Sequence, residues 1–293
     1  MSNIVCFGEV LWDVFPNERK IGGAPLNVAI RCKLFNNEVA LISAVGDDEA
    51  GQFILNYLEA HKINTDYIQK LEDFKTGKVQ VSLNKTGSAS YTIEYPAAWD
   101  KIYYTENLKS LVQQADAFVF GSLVARDEVS QRTLYQLTKY AKYNVFDLNL
   151  RPPHYEKTTL IHLMNEANFI KLNDEELYEV SSFLGSKFNG LEQNLKFIAK
   201  KTNTKHICVT KGAFGAVLFY NETLYYNSGY KIKVVDTVGA GDSFLGTLIS
   251  YLLNNENPQQ AIDVACAVGA LVAQSTGANP VLNSNNIDTF INP

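Results

Sequence analysis

Short apolar runs that end in glycine or polar residues recur along the chain, and helical spacing follows most of them. The runs predict buried strands at 4–7, 41–45, 118–122, 145–151, 169–172, 206–210 and 216–219. Apolar residues three and four positions apart predict helices that open at 22–27 and at 173–176, pass through 53–58 and 244–253, and span 127–142 and 258–275, with Gly277 as the last cap. This alternation indicates an α/β protein with a mainly parallel sheet.

One stretch in the first third of the chain has a different pattern. Segments 78–83 and 90–95 alternate apolar and polar residues around Asn84–Gly87, which predicts a β-hairpin. Such a sheet has one face that is wet or covered by something else, so we interpret the stretch as a lid. Ala97–Asp100 closes it, and Trp99 belongs either to the core or to a cover over a ligand.

The stretch Val235–Phe244 carries the most distinctive pattern. Gly239, Ala240 and Gly241 stand at the start of an apolar helix, where backbone N–H groups have no partners within the helix. With the helix dipole behind them, these N–H groups favour a phosphate or another anion. Asp242 is unexpected beside an anion site, and it is either a helix cap or a general base. The spacing alone favours the cap.

The composition narrows the class of protein. The chain has 293 residues, 46% of them apolar, and its net charge of -5 disfavours nucleic acid as a partner. There is no run of about 18 apolar residues, so a membrane span is not expected. The four scattered cysteines predict buried thiols in a cytoplasmic protein, and the four histidines lack the spacing of zinc ligands. No linker or repeat appears, so one domain is expected over residues 1–293.

The sequence lacks several well-known motifs. It has no P-loop and no Gly-x-Ser-x-Gly elbow, and Phe244 stands where a dinucleotide fingerprint requires a third glycine after Gly239 and Gly241. What remains is an anion site beside an acid, with polar residues at most strand ends, where α/β folds bind ligands. That combination suits phosphoryl transfer to an alcohol, which needs fixed N–H donors, Mg²⁺ and a base. Asp13 and Asn27 are such polar groups, although each alone is typical of a turn acid and a helix-cap amide.

Two segments, Gly22–Asn27 and Asp236–Phe244, resemble those of the ribokinase-like (phosphofructokinase-B type) carbohydrate kinases, and the resemblance covers essentially the whole chain. Three others, Gly8–Pro16, Ala97–Asp100 and Phe146–Pro153, are most similar to the fructokinase branch. The 2-keto-3-deoxygluconate kinases share the Asn-Leu-Arg part of the last segment. The resemblance implies a three-layer α/β/α sandwich with a mainly parallel central sheet and a small β-sheet lid.

By this resemblance Asp242 is the catalytic base, and the helix dipole should keep it ionised at neutral pH. The implied anion hole consists of Gly239, Ala240 and Gly241. The implied sugar-binding residues are Asp13, Gly23, Asn27 and Arg151. For Arg151, a structural salt bridge is the alternative.

The resemblance also implies an ATP site with its cations. Asn173 and Glu176 match an Asn-x-x-Glu motif that is tied to Mg²⁺ and phosphate placement through water. The implied nucleotide contacts are Thr210, Gly212, Gly277 and Asn279. Asp236 and Val238 correspond to a K⁺ site beside the anion hole.

The implied activity is transfer of the ATP γ-phosphate to the terminal hydroxyl of an unphosphorylated sugar, with D-fructose as the expected acceptor. A phosphorylated acceptor would need a basic cluster, and the sequence near Asp13 offers only Arg19, Lys20 and Arg31. Ribose, 2-keto-3-deoxygluconate and a sugar-sensing protein without turnover are the alternatives. Lid segments at about 10–20 and 75–105 would meet those of a second copy in a homodimer.

Overall fold

The computed structural model describes residues 1–83 and 89–292. The predicted hairpin turn at 84–87 therefore lies outside the described residues. The strands are, in chain order, β1 (Asn3–Phe7), β2 (Leu11–Val14), β3 (Arg19–Gly22), β4 (Glu38–Gly46), β5 (Ile68–Leu71), β6 (Gly77–Leu83), β7 (Ala89–Ile93), β8 (Ala117–Gly121), β9 (Asn144–Asp147), β10 (Phe169–Asn173), β11 (His206–Thr210), β12 (Ala216–Tyr220) and β13 (Thr223–Asn227).

Nine strands of the described chain form a large sheet in the order β13-β12-β11-β10-β9-β8-β1-β4-β5. The strands from β11 to β5 in this order are all parallel, and β12 and β13 add an antiparallel edge. The near-continuous apolar runs of the sequence fit this position, because a parallel strand is covered on both faces.

Helices cover both faces of the large sheet. They are α1 (Ala24–Leu34), α2 (Glu49–Ala60), α3 (Glu106–Gln114), α4 (Glu128–Leu137), α5 (Lys157–Glu166), α6 (Asp174–Phe183), α7 (Leu191–Thr202), α8 (Ala240–Leu253), α9 (Pro258–Ala273) and α10 (Ser284–Ile291). Ile4 and Cys6 of β1 share an apolar cluster with α1, α2, α8 and α9, whereas Val5 and Phe7 share one with α3 to α7. The expected three-layer α/β/α sandwich is thus confirmed. No helix in the described part of the chain is long and apolar enough to cross a membrane.

A small second sheet combines β2 and β3, which follow β1, with β6 and β7, which follow β5. Its order is β3-β2-β6-β7, with β2 parallel to β6 and the two outer pairs antiparallel. Leu11 and Val79 form its own apolar cluster. The indole N–H of Trp12 donates to the carbonyl oxygen of Ala50 at 3.1 Å, which ties the small sheet to the start of α2.

The ends of several elements differ from those that the sequence predicts. β9 ends at Asp147 and does not reach Arg151, since Asn149 has a φ of 40°, which a strand does not accommodate. Helix α4 ends at Leu137, short of its expected end. Helix α9 ends at Ala273, so Gly277 is not its cap and lies in the loop beyond it.

Trp99 belongs to the core and does not cover a ligand. It lies in a short 3₁₀ helix, Ala98–Lys101, and is fully buried. The guanidinium of Arg126 lies 4.1 Å from the centre of its ring and is itself paired with Asp100. The segment that closes the small sheet is therefore anchored in the core of the protein.

Replacing Trp99 with alanine should destabilise the fold by about 3–5 kcal/mol, because truncation of a buried aromatic side chain leaves a cavity. Urea unfolding followed by circular dichroism measures the change. Phe214→Ala, at a side chain that is 74% exposed, is the aromatic control. It should change the free energy of unfolding by less than about 0.5 kcal/mol. Equal effects of the two substitutions would contradict the core position of Trp99.

Candidate active site

Polar residues lie at, or just after, the carboxyl ends of several strands of the large sheet. Glu9 follows β1, Asp147 ends β9, Asn173 ends β10 and Thr210 ends β11. Because these strands are parallel, their carboxyl ends meet at one edge of the sheet. The strand order also reverses at β1, which lies between β4 and β8. Ligands of doubly wound sheets bind at such a point.

Helix α8 begins near this edge with a glycine in the left-handed region. Gly239 is the residue before the first turn and has a φ of 74°. A side chain on Gly239 would also clash with Ala278. Glycine is therefore required at this position for two reasons: it adopts the left-handed backbone conformation, and it lets the neighbouring loop approach closely.

The first turn of α8 leaves N–H groups available to a ligand. The N–H of Ala240 reaches the carbonyl oxygen of Thr237 at 3.3 Å, and that of Ser243 donates to the cap residue at 2.8 Å. Within the described chain, the N–H groups of Gly241 and Asp242 make no hydrogen bond. These two N–H groups lie at the positive end of the helix dipole, as an anion site requires.

Asp242 does not cap α8. Its Oδ2 accepts a hydrogen bond from Asn27 Nδ2 at 2.8 Å, and Asn27 Oδ1 accepts one from Asn279 Nδ2 at 2.8 Å. Asn27 is not a cap either, because α1 begins after Gly23 and Asn27 lies inside its first turn. The cap interpretations of both residues are therefore wrong. Asn279, one of the predicted nucleotide contacts, lies against Asn27.

Two acids flank the loop that joins the small sheet to α1. Asp13 is not in a turn but on β2, with its carboxylate against Gly22. Glu9 is 4% exposed, and its Oε1 accepts the N–H of Ala24 at 3.3 Å. In the part of the chain that the structure describes, its Oε2 has no partner. The carbonyl oxygen of Glu9 touches Gly23, where no side chain would fit.

Arg151 is exposed and faces the same acids. Its Nη1 donates to the carbonyl oxygen of Leu150 at 3.0 Å. Among residues 1–83 and 89–292 it forms no ion pair, so the salt-bridge alternative is not the arrangement in the structure. Its positive charge acts to lower the pKa of Glu9, of Asp13 and of Asp242.

Burial dominates the titration of these acids. It raises the pKa of Glu9 to about 7 and that of Asp13 to about 6, with Arg151 opposing the shift and Asp242 adding to it. Burial also raises the pKa of Asp242, against its amide hydrogen bond and then the charges of Lys171 and Arg151. Burial therefore acts against the ionised form of Asp242 that the helix dipole was expected to favour, and the amide hydrogen bond and the two positive charges oppose burial.

Asn173 and Glu176 form a capping box at the start of α6. The N–H of Glu176 donates to Asn173 Oδ1, and the N–H of Asn173 donates to Glu176 Oε2, both at 2.8 Å. Glu176 Oε1 accepts the N–H of Leu150 at 2.8 Å, which joins the loop after β9 to α6. Each oxygen keeps a second lone pair. These residues are suited to contact Mg²⁺ through water, because such contact leaves both hydrogen bonds of the capping box intact.

Thr210 and Gly212 lie at the edge of the sheet next to Asn173. Thr210 pairs with Asn173 in the sheet, and its Oγ1 donates to the carbonyl oxygen of Leu172 at 3.5 Å. Gly212 has a φ of 54°, and the space where a side chain would begin is open. A flat ligand can therefore approach the backbone closely at this position.

Asp236 joins the loop before α8 to the loop after α9. Its Oδ1 accepts the N–H of Val238 at 3.0 Å, and its Oδ2 accepts the N–H of Gly277 at 3.1 Å. A carboxylate oxygen is the kind of ligand that an alkali cation such as K⁺ accepts, and Asp236 holds the two loops together through these N–H donors. The predicted residues of the K⁺ site are thus brought together.

The sequence reasoning missed a buried ion pair at this edge. Lys171 on β10 lies opposite Asp147 on β9, and its Nζ donates to Asp147 Oδ1 at 3.0 Å and Oδ2 at 3.1 Å. A side chain on Gly241 would begin 3.4 Å from Lys171 Nζ. A charged residue inside an apolar run was the available signal for Lys171, and an acid directly after a strand was the signal for Glu9.

The chain belongs to the pfkB family of carbohydrate kinases, since the model of the pfkB family carbohydrate kinase matches residues 1–285. A fructokinase of Vibrio alginolyticus is 27% identical over 302 residues, which cover 96% of this chain and 96% of that protein.

Solved structures agree with this assignment in fold. A fructokinase double mutant from Vibrio cholerae O395, bound to fructose, ADP and potassium, has a TM-score of 0.85 at 22% identity and covers 99% of this chain and 98% of its own. A 2-dehydro-3-deoxygluconokinase from Thermotoga maritima has a TM-score of 0.88 at 21% identity and covers both chains fully, at 100%. The fold is therefore ribokinase-like, and the protein is a sugar kinase.

Glu9→Gln should remove a pH dependence of stability. Burial raises the pKa of Glu9 from 4.5 to about 7 on folding, so its stabilising contribution is full below pH 4.5 and is lost as the pH rises through 7. Between about pH 4.5 and 8 the wild type should therefore lose about 3 kcal/mol more than Glu9→Gln. Urea unfolding at both pH values measures the difference.

The exposed Glu72 supplies the matched control. Glu72→Gln should keep the pH dependence of the wild type, because its carboxylate is in contact with water. If Glu9→Gln and the wild type lose stability in parallel, the buried, protonated state of Glu9 is contradicted.

Proposed function

We propose that the protein is a fructokinase, which transfers the γ-phosphate of ATP to the terminal hydroxyl of D-fructose and forms D-fructose 6-phosphate. The observation that carries this proposal is the hydrogen bond between Asp242 and Asn27, beside the free N–H groups at the start of α8. A base, a hydroxyl-binding amide and an anion site are the parts that phosphoryl transfer to an alcohol needs, and all three are within one turn of this bond.

Asp242 acts as the general base. It accepts the proton of the sugar hydroxyl as the hydroxyl oxygen attacks the γ-phosphorus and the bond to the β-phosphate oxygen breaks. The hydrogen bond from Asn27 goes to Oδ2, which orients the carboxylate and leaves Oδ1 for the proton. The ionised form is the active one, so the positive charges around Asp242 favour turnover.

The first turn of α8 stabilises the charge on the transferring group. The N–H groups of Gly241 and Asp242, without partners in the described chain, are held by the first turn and would bind that charge without rearrangement, which is why such donors lower the barrier. The left-handed turn at Gly239 sets their direction. Ala240 contributes less, because its N–H already reaches Thr237.

The sugar binds between the small sheet and α1. Asp13 on β2 and Asn27 on α1 hold its hydroxyl groups, because a carboxylate and an amide fix donors and acceptors in set directions. The backbone of Gly23, packed against the carbonyl oxygen of Glu9, is a third proposed contact with the sugar, and Asn279 fixes the amide of Asn27. Glu9 accepts the N–H of Ala24 beside Gly23, and burial raises its pKa to about 7, so it carries its proton below that pH.

The arrangement of the basic residues near this site favours an unphosphorylated acceptor. The Arg19 guanidinium lies 4.6 Å from the centre of the Trp12 ring, and Lys20 pairs with Glu18 at 3.0 Å. Arg31 is buried and donates to a serine hydroxyl of α8 at 3.1 Å. Arg19 and Arg31 are engaged elsewhere, and Lys20 is the one of the three whose charge acts on Asp13, so they do not form the basic cluster that a sugar phosphate would need.

A sugar acid is the second candidate acceptor. Arg151 faces Asp13 and Asp242 but forms no ion pair in the described chain, so its guanidinium can take the carboxylate of 2-keto-3-deoxygluconate. Relatives called fructokinase support fructose instead. A sugar sensor without turnover is disfavoured, because Asp242 and the glycine run are intact.

ATP lies along the carboxyl ends of β10 and β11 in this proposal, next to Thr210, Gly212 and Gly277. Mg²⁺ bound to the phosphates would neutralise part of their charge, and Asn173 and Glu176 would orient its waters. K⁺ would bind beside Asp236 and Val238 and steady the loop that enters α8. The fructose, ADP and potassium bound to the Vibrio cholerae fructokinase support this set of ligands.

We also infer that residues 1–293 form one domain in which the small sheet is a lid. The position of Asp13 on β2 supports this role, because movement of the sheet would carry a sugar ligand with it. A homodimer through the lid and a cytoplasmic location remain predictions. Sedimentation equilibrium measures the first, and a monomer at micromolar concentration would contradict it.

Fructose should give the highest kcat/KM in a panel with ribose, 2-keto-3-deoxygluconate and fructose 6-phosphate, measured as ADP release from ATP and Mg²⁺. Phosphorus and carbon NMR of the product should show the phosphate on the terminal carbon. A preference for 2-keto-3-deoxygluconate would favour the second candidate. The absence of ADP release with every sugar would contradict turnover.

Asp242→Asn should lower kcat by about 10²–10⁴-fold, because the amide cannot accept the proton of the attacking hydroxyl. Isothermal titration should show that fructose and ADP still bind, since the hydrogen-bonding shape of the side chain is kept. Asp288→Asn, at an exposed acid on α10, is the control and should leave kcat unchanged. Near-normal turnover by Asp242→Asn would rule out the base.

A further inference from the structure

Lys171 is a buried cation in the middle of an apolar strand. Its neighbours Ile170 and Leu172 are fully buried, and its own side chain is 7% exposed. Burial of an ammonium is costly unless it is paired, and Lys171 donates to both oxygens of Asp147. Two apolar side chains would serve the stability of the strands as well or better. Stability therefore does not by itself require this pair.

The ammonium of Lys171 lies against the anion site. Its Nζ is 3.4 Å from the position where a side chain on Gly241 would begin, so it lies beside the backbone of that residue. Gly241 carries one of the two N–H groups of the first turn that are free in the described chain. A positive charge behind an N–H donor strengthens its attraction for an anion in a site with little water.

Three carboxylates surround this ammonium. Burial alone would lower the pKa of Lys171, but the charges of Asp147, Glu176 and Asp242 raise it, so the side chain stays charged. In the other direction, Lys171 is the foremost charge that lowers the pKa of Asp242. Arg151 is the second cation that faces Asp242, from the solvent side.

We propose that Lys171 is a positioning residue for phosphoryl transfer: held by Asp147, it fixes a positive charge beneath the Gly241 backbone and beside Asp242. This role rests on the sugar phosphorylation proposed above. Lys171 does not contact the reacting atoms but acts through the N–H donor and through the base. Asp147 keeps the ammonium away from a direct ion pair with Asp242, which would occupy the oxygens that must accept the proton.

Lys171→Met should lower kcat by up to about 10²-fold, the lower end of the loss for removing a direct oxyanion donor, because Lys171 acts through such a donor and through the base. The KM for the sugar should change by less than about threefold, because Lys171 is buried, is paired with Asp147 and is not among the residues proposed to hold the sugar. The acid limb of the kcat profile should move to higher pH, since Asp242 loses a positive neighbour. Lys171→Arg keeps the charge and should recover most of kcat.

Two further variants separate this role from stability. The double variant K171M/D147L removes both charges, which avoids an unpaired buried carboxylate and favours folding. It should unfold near the wild-type temperature and still show the loss of kcat. Arg126→Met breaks the other deeply buried pair, Arg126–Asp100, whose side chains are 4% and 0% exposed. It should lower the unfolding temperature and change kcat per folded molecule by less than about twofold.

A binding assay keeps the test independent of the sugar. Aluminium fluoride with ADP mimics the charge of the transferring phosphoryl group, and thermal-shift titration should show it binding about tenfold more weakly to Lys171→Met, with ADP alone unchanged. The role of Lys171 would be overturned if the folded double variant matched the wild type in three measurements. These are kcat, the pH of the acid limb of the kcat profile, and the affinity for aluminium fluoride with ADP. Lack of turnover by the wild type with every sugar would instead count against the proposed function, while the fluoride assay still decides on Lys171.

Discussion

The contact between α1 and α8 is the constraint on which the site depends. Asn27 Nδ2 bonds to Asp242 at 2.8 Å, and Arg31 Nε bonds to the Ser243 hydroxyl at 3.1 Å. Gly246 permits this closeness, because a side chain on it would begin 2.9 Å from the Cβ of Arg31. Each such bond contributes about 1 kcal/mol, and more when one partner is charged. The base is therefore oriented only when helices from opposite ends of the chain pack together.

The same packing removes the acidic side chains of the site from water, so their ionised forms carry an energetic cost. Glu9, Asp13 and Asp242 are drawn out of water by α1, α8 and the small sheet, and burial raises the pKa of each. The cations Arg151 and Lys171 oppose that shift from two sides of Asp242. Groups with perturbed pKa values concentrate where chemistry occurs, because catalysis needs acids and bases whose pKa values are shifted by burial and by neighbouring charges.

The sequence predicted the architecture where its pattern was strongest. Apolar runs gave the central parallel strands, because such strands are covered on both faces. Strands β2 and β3, which lie at a polar stretch, and the polar helices α3 and α7 were missed, since they bury only one narrow face. The contact of Asp242 with Asn27 spans 215 positions, and the pairing of Lys171 with Asp147 depends on strand order. Neither follows from local spacing.

The spacing of the sequence could not decide whether Asp242 is a helix cap or a general base. Both roles put a carboxylate in the first turn of a helix and both benefit from its dipole. They differ in the donor that the carboxylate accepts: a cap takes an N–H of its own helix, whereas Asp242 takes an amide of α1. Because Asp242 does not accept the N–H groups of its own helix, those of Gly241 and Asp242 have no partner among the described residues and can bind an anion. One side-chain choice thus supplies the base and preserves the anion site.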